Sequence, residues 1–193
     1  MMKKLLIAIP LLLGSTSVLA QGFNYTFVQA GYLDGETENI NADGYGLSGS
    51  LAFTDNLFAK ASYSSLEPDG RSRFDFNDTS LGLGFHTPLS NGVDLVFTGS
   101  WINSEVDLGR FGSYDEDGYG LGAGFRTWLA PSLELNGGLE YVDFGGSAGN
   151  DTAVGLGLLY TVTGNLALGI SGSWGNDPDF SALGLNVRLY LGR

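Results

Sequence analysis

Between Asp43 and Phe53 the chain reads DGYGLSGSLAF, and its large apolar residues keep to one set of alternate positions. Tyr45, Leu47, Leu51 and Phe53 form that set, and Gly44, Gly46, Ser48, Ser50 and Ala52 stand between them. A period of two is the mark of a β-strand, whose successive side chains point to opposite faces. A strand at a water surface buries its large residues and shows charged or polar ones to solvent. Here the second set is small and nearly all uncharged, so the large set is predicted to face an apolar solvent and the small set an enclosed interior. A soluble β-sandwich with glycine-rich strands would instead carry charges along its outer face.

The pattern recurs. Gly118 to Thr127 alternates Tyr119, Leu121, Ala123 and Phe125 with four glycines, and the pentapeptide DGYGL occurs at both 43–47 and 117–121. The alternation predicts ten strands, near 24–33, 44–53, 57–66, 78–87, 93–102, 118–128, 133–142, 151–161, 166–174 and 180–191. Most are about ten residues long, the length of a tilted strand crossing a bilayer. In the first strand Val28, Ala30 and Tyr32 fit the outward set, which turns Tyr25 and Phe27 inward. Short turns are expected at 54–56, 88–92, 129–132 and 162–165. Longer links are expected at 34–43, 67–77, 103–117 and 143–150, with a short one at 175–179. Tight turns at one end and long loops at the other characterise outer-membrane barrels, whose tight turns face the periplasm. The expected fold is an all-β, antiparallel, ten-stranded transmembrane up-and-down β-barrel, with eight strands as the alternative count. Closure pairs every strand edge, as hydrocarbon requires.

Aromatic placement agrees with two membrane interfaces. Tyr45, Tyr63, Trp101, Tyr119, Tyr141 and Trp174 fall at the long-loop ends of their strands. Phe53, Phe85, Phe125 and Tyr160 fall at the short-turn ends, with aliphatic residues such as Leu121, Leu139 and Ile170 between. Amphipathic rings form girdles of this kind at headgroup level.

Residues 1–20 are expected to be a cleaved secretory signal. Lys3 and Lys4 precede an apolar run to Leu13, and Val18-Leu19-Ala20 suits a signal peptidase. Residues 21–193 then form a single barrel domain in the bacterial outer membrane. Without the two leader lysines, seven basic side chains face 21 acidic ones, a net charge of −14. That argues against nucleic acid as a partner, because phosphate recognition needs clustered Lys and Arg.

Three stretches carry a resemblance: FNYTFVQAGY at 23–32, DGYGLSGSLAFTDNLFAKASYSS at 43–65 and DGYGLGAGFRTWLAPSLELNGGLEYVDFG at 117–145. They resemble the small outer-membrane β-barrel proteins of Gram-negative bacteria, and more narrowly the barrels described as regulated by a diffusible signal factor. The resemblance implies a membrane barrel with no settled enzymatic role, and the barrel assembly machinery as a partner. Related barrels end in an aromatic residue, whereas Gly192 and Arg193 follow Leu191 here.

The chemistry-bearing residues are few. Gly44 to Gly49 matches G-x-G-x-x-G, but a dinucleotide site needs a strand, that turn and then a helix. These glycines lie inside a strand. His86 is the only histidine, at the short-turn end beside Thr87-Pro88, and the sequence indicates no acid or Ser partner for it. With no cysteine and one histidine, no zinc site is expected, nor any cofactor. The inward set includes Lys60, Asp94, Arg126, Glu134, Glu140 and Arg188, read as an internal ionic network that plugs the barrel. Those charges could alternatively line a conduit, and the run of lumen glycines leans toward a narrow wet passage. The acidic residues Asp34, Glu36, Glu38, Asp43, Glu105, Asp107, Asp115, Glu116 and Asp117 are placed in long loops, against Arg110. There they could be a solvated face, or bind divalent cations that bridge to lipopolysaccharide phosphates. Outer-membrane lipid and lipopolysaccharide are the expected partners. The functional expectation is a structural or surface-interaction role without catalysis, with a narrow, weakly cation-favouring porin-like pore as the alternative.

Overall fold

In the computed structural model the described residues are 22–37, 40–69, 75–109, 112–145, 149–176 and 179–191. The proposed signal, Glu38, Arg110, Gly192 and Arg193 lie outside them. Ten strands follow one another: β1 Phe27–Thr37, β2 Ile40–Ala52, β3 Leu57–Pro68, β4 Asp75–Ser90, β5 Val93–Asp107, β6 Ser113–Ala130, β7 Leu133–Gly145, β8 Gly149–Thr161, β9 Leu166–Asn176 and β10 Asp179–Tyr190. Each pairs antiparallel with its sequence neighbours, and β1 pairs β10 from Phe27↔Tyr190 to Thr37↔Phe180, closing the barrel. The eight-strand count is therefore wrong.

The strands outrun the expected lengths. β5 and β6 stay paired out to Asp107↔Ser113, and β1 and β2 out to Thr37↔Ile40. Segments expected as long loops at 34–43 and 103–117 are thus mostly ladder, and Asp34, Glu36, Asp43, Glu105, Asp107, Asp115, Glu116 and Asp117 sit on paired strands. The reason is physical. Backbone pairing continues wherever two strands stay in register, but above the bilayer both faces are wet, so the side-chain alternation that reveals a strand fades.

The short turns behave as expected. Phe53 N and Thr54 N both donate to Leu57 O, at 3.0 and 3.3 Å. Thr54 Oγ1 accepts from Leu57 N at 2.9 Å. The β4–β5 turn passes through Gly92 at φ 81°, a left-handed conformation open to glycine at little cost.

The outward set forms an apolar belt. Leu83 is 62% exposed and Leu121 57%, and Leu47, Leu51, Leu81, Leu139, Ile170 and Leu185 are exposed as well. A continuous apolar surface of this extent is far beyond what a water-soluble monomer shows. Its solvent is hydrocarbon.

Several inward glycines lie beneath side chains of neighbouring strands. A Cβ on Gly84 would fall 2.1 Å from Phe58, on Gly169 2.6 Å from Leu159, on Gly157 2.7 Å from Asn136 and on Gly122 2.5 Å from Thr98. At these positions the glycines make room for their neighbours, while others, such as Gly49 and Gly155, line an open cavity in the lumen.

Candidate functional site

The lumen is layered, and its densest layer sits at the turn end. There the segment before β1 folds into the mouth. Phe23 stacks on Trp128 with ring centroids 5.2 Å apart. Asn24 donates from Nδ2 to Leu191 O at 3.3 Å. Tyr25, 5% exposed, lies 3.8 Å from the His86 ring and 5.0 Å from Phe58, stacked on both.

Arg126 and Glu134 anchor the layer. They flank the β6–β7 turn, and both point inward. Arg126 donates from Nε and Nη2 to the two Glu134 carboxylate oxygens, each at 2.8 Å. Its Nη1 donates to Asn24 O at 3.1 Å. Its guanidinium lies over the Phe23 and Tyr25 rings, 4.8 and 4.6 Å from their centroids. Glu134 is 1% exposed, and the Tyr190 hydroxyl and Asn136 Nδ2 each reach it at 3.5 Å. A two-point Arg–carboxylate pair is the strong form of the interaction. So deep in the protein, it holds only while both partners are present.

Asp94 differs from expectation. It stands directly across the β5–β6 ladder from Arg126. Among the described residues, however, its contacts are to other groups. The Tyr25 hydroxyl donates to Asp94 Oδ2 at 3.2 Å, and His86 Nδ1 lies 3.0 Å from the same oxygen. That last approach can pair when the imidazole is protonated, but it is out of line for a hydrogen bond. The expectation that His86 lacks an acid partner is therefore corrected. The partner comes from β5, eight residues on and diagonally across the hairpin, where Asp94 stands opposite Pro88 and His86 opposite Val96. That register was not legible in advance. Tyr25, too, takes part in a cluster that the reading of inward charges left out. Its signal was the odd inward aromatic pair Tyr25 and Phe27 at the start of the expected first strand.

Above this layer Lys60 Nζ lies 3.6 Å from Glu140 Oε1, and the Ser100 hydroxyl donates to the same oxygen at 3.5 Å. Arg188 is the exception to the expected ionic network. No carboxylate lies within ion-pair distance of it among the described residues. It donates from Nε to Gln29 Oε1 at 2.8 Å and packs over Phe27 at 4.0 Å. The register explains this: Arg188 sits opposite Gln29 on one side and Ala167 on the other.

The aromatic positions divide as the alternation requires. Tyr45, Tyr63, Trp101, Tyr119 and Trp174 are exposed at the far ends of their strands, and Phe53, Phe85 and Tyr160 at the turn ends. Tyr141 and Phe125 are half-buried. Several far-end tyrosines donate to acidic or amide side chains. Tyr32 donates to Asp43 at 2.9 Å, Tyr119 to Asp143 at 3.0 Å and Tyr63 to Asn77 at 3.0 Å. Among the described residues no group of three metal-ligating side chains comes together.

The family model described as outer membrane protein beta-barrel domain matches residues 6–161 of the chain. The chain belongs to that family, and it is a protein of the bacterial outer membrane. β9 and β10 lie beyond the match and complete the closure. No curated protein matches the chain in sequence. Among solved structures, NanC porin is similar over 86% of this chain and 100% of its own, at 11% identity and a TM-score of 0.52. KdgM porin is similar over 85% and 99%, at 11% identity and 0.49. The N-terminal β-barrel domain of Pseudomonas aeruginosa OprF is similar over 86% and 100%, at 15% identity and 0.48. At such identities the likeness is one of fold alone.

Proposed function

We propose that this chain is a non-catalytic structural or surface-interaction protein whose bore is stoppered on the periplasmic side. One observation carries the reading: the Arg126–Glu134 pair, roofed by Phe23 and Tyr25, fills the turn-end mouth with buried, mutually bonded side chains. A charged pair this buried is costly to open. The resemblance to barrels regulated by a diffusible signal factor extends the reading to that narrower family. The same reading has residues 1–20 removed on export and folding by the barrel assembly machinery. It gives lipopolysaccharide as the neighbour of the acidic far-end strands.

Planar-bilayer recording tests the proposal. The wild-type barrel should give small or no conductance. Steady, well-defined steps would overturn the stopper and favour the narrow, weakly cation-favouring pore. The open polar layer above the stopper is what keeps that second reading in play.

A further inference from the structure

We infer that the layer above the stopper is a binding site for a small organic carboxylate, with Arg188 as its anchor. The inference does not depend on whether the barrel conducts. A cavity of about 570 Å³ lies on this stretch of wall, and Arg188, Lys60, Ser48, Ser62, Ser171 and Ser173 line it.

The inward cations Lys60, Arg126 and Arg188 are equalled in number by Asp94, Glu134 and Glu140, so it is pairing geometry that singles out Arg188. Of the three inward cations at and above the stopper, Arg126 is matched by Glu134 and Lys60 by Glu140. Arg188 has no carboxylate within ion-pair distance among the described residues. Gln29 Oε1 takes its Nε at 2.8 Å, and Tyr190 is its other hydrogen-bonding neighbour; both are neutral. Phe27, at 4.0 Å, holds the guanidinium plane and brings no negative charge. Glu134 reaches Arg188 only at longer range, through Tyr190. A largely buried cation with no carboxylate in contact is stabilised by an anion that arrives to meet it.

The surroundings set the class of anion. A guanidinium offers a planar fork of donors that matches a carboxylate at two points. Gln29, which fixes Nε, is itself held: its Nε2 donates to Asn186 Oδ1 at 3.4 Å, and Asn186 Nδ2 donates to Ser171 Oγ at 3.0 Å. The donor edge is thus pre-positioned by a relay across β1, β10 and β9. Ser50 Oγ, on the same cavity wall, is a buried hydroxyl with no hydrogen-bond partner among the described residues. The hydroxyls of Ser48, Ser50, Ser62, Ser171 and Ser173 on the cavity wall suit the hydroxyls of a small hydroxylated acid held by a fixed cation.

The test follows the arginine Nε–H signals of the refolded, isotope-labelled barrel in detergent micelles by nuclear magnetic resonance. Acetate, glycerate and glycerol are titrated in separately at fixed ionic strength, with chloride as the balancing anion. A saturable shift of the Arg188 signal with acetate or glycerate, absent with glycerol, is expected. Arg188→Gln should abolish the saturable response, read at the Gln29 side-chain amide. Arg188→Lys keeps the charge without the fork, and should bind about tenfold more weakly. It serves as the deciding variant if Arg188→Gln does not give the heat-modifiable gel band of a closed barrel. No saturable shift with either carboxylate would overturn the inference. So would an equal response to chloride alone, or undiminished binding by Arg188→Lys.

Discussion

Tyr25 lies flat on His86, ring centroids 3.8 Å apart and planes 14° from parallel, while its hydroxyl reaches across to Asp94 at 3.2 Å. One side chain from the segment before β1 thereby joins β4 and β5 at the turn-end mouth. The same ring stands under Arg126, so the first described residues of the chain and the buried ion pair form one unit.

That unit predicts how the mouth opens. Tyr25→Ala removes the ring on which His86, Phe58 and Arg126 pack, and should cost about 3–5 kcal/mol, as large aromatic truncations do. Tyr25→Phe keeps the stack and loses only the bond to the buried Asp94 carboxylate, for about 1.5–3 kcal/mol. Urea unfolding in lipid vesicles reads both. In planar bilayers Tyr25→Ala should conduct where the wild type and Tyr25→Phe do not. Conductance unchanged in Tyr25→Ala would mean that the ring is no part of the stopper.

The ion pair makes its own prediction. Arg126→Met leaves Glu134, 1% exposed, as an unmatched buried charge, and should cost about 3–5 kcal/mol. Glu134→Leu should cost a similar amount for the same reason. The double variant buries neither charge and should be less destabilised than either single one. A double-mutant cycle on the unfolding free energies gives the coupling. If the two single costs simply add, the pair is not acting as a unit.

Much of this architecture could be read from the alternation alone, because inside the bilayer one face meets hydrocarbon and the other does not. Leu121 and Gly120 could be assigned to opposite faces on that basis. The stopper was harder to read. Arg126 and Glu134 flank one turn, so their meeting was visible in advance. The contact of His86 with Asp94 depends on a hairpin register that includes a bulge between Pro88 and Ser90. Alternation turned Tyr25 inward, but it comes from the segment before β1, and alternation does not say which side chains it meets. Arg188 shows the opposite failure: an inward charge was assumed to find a counter-charge, yet its cross-strand neighbours are Gln29 and Ala167. Charge placement follows from alternation, but pairing follows from register, and only the first is written in the spacing of residues.

The lipid face can be checked at one position. Leu121 is 57% exposed in mid-strand, so Leu121→Arg should cost about 2–4 kcal/mol, the depth-dependent penalty for a cation at the bilayer centre. Ser62→Asn, inward and against the polar cavity, should cost far less. Unfolding free energies in vesicles compare them. Equal costs would mean that the two faces had been exchanged.

The inward glycines give the sharpest contrast. Phe58 and Gly84 are cross-strand neighbours, and the ring lies over the glycine. A Cβ on Gly84 would stand 2.1, 2.4 and 2.6 Å from three ring carbons. The ring cannot swing away freely, because Tyr25 stacks on it at 5.0 Å and His86 packs beside it at 6.3 Å. Gly84→Ala should therefore cost about 1–3 kcal/mol, as overpacking does. Gly155, also inward, is open: its added Cβ would meet only Gly172 O, at 3.9 Å. Gly155→Ala gains the conformational-entropy advantage of alanine in a strand and should be neutral or stabilising by up to about 1 kcal/mol. Urea midpoints of the two variants should thus move in opposite directions or differ clearly. Adding Phe58→Leu to Gly84→Ala should recover part of the loss, since the smaller side chain vacates the space the Cβ needs. If both glycines tolerate alanine equally, the lumen is looser than a layer of side chains seated on glycine, and the stopper would have to rest on Arg126 and Glu134 alone.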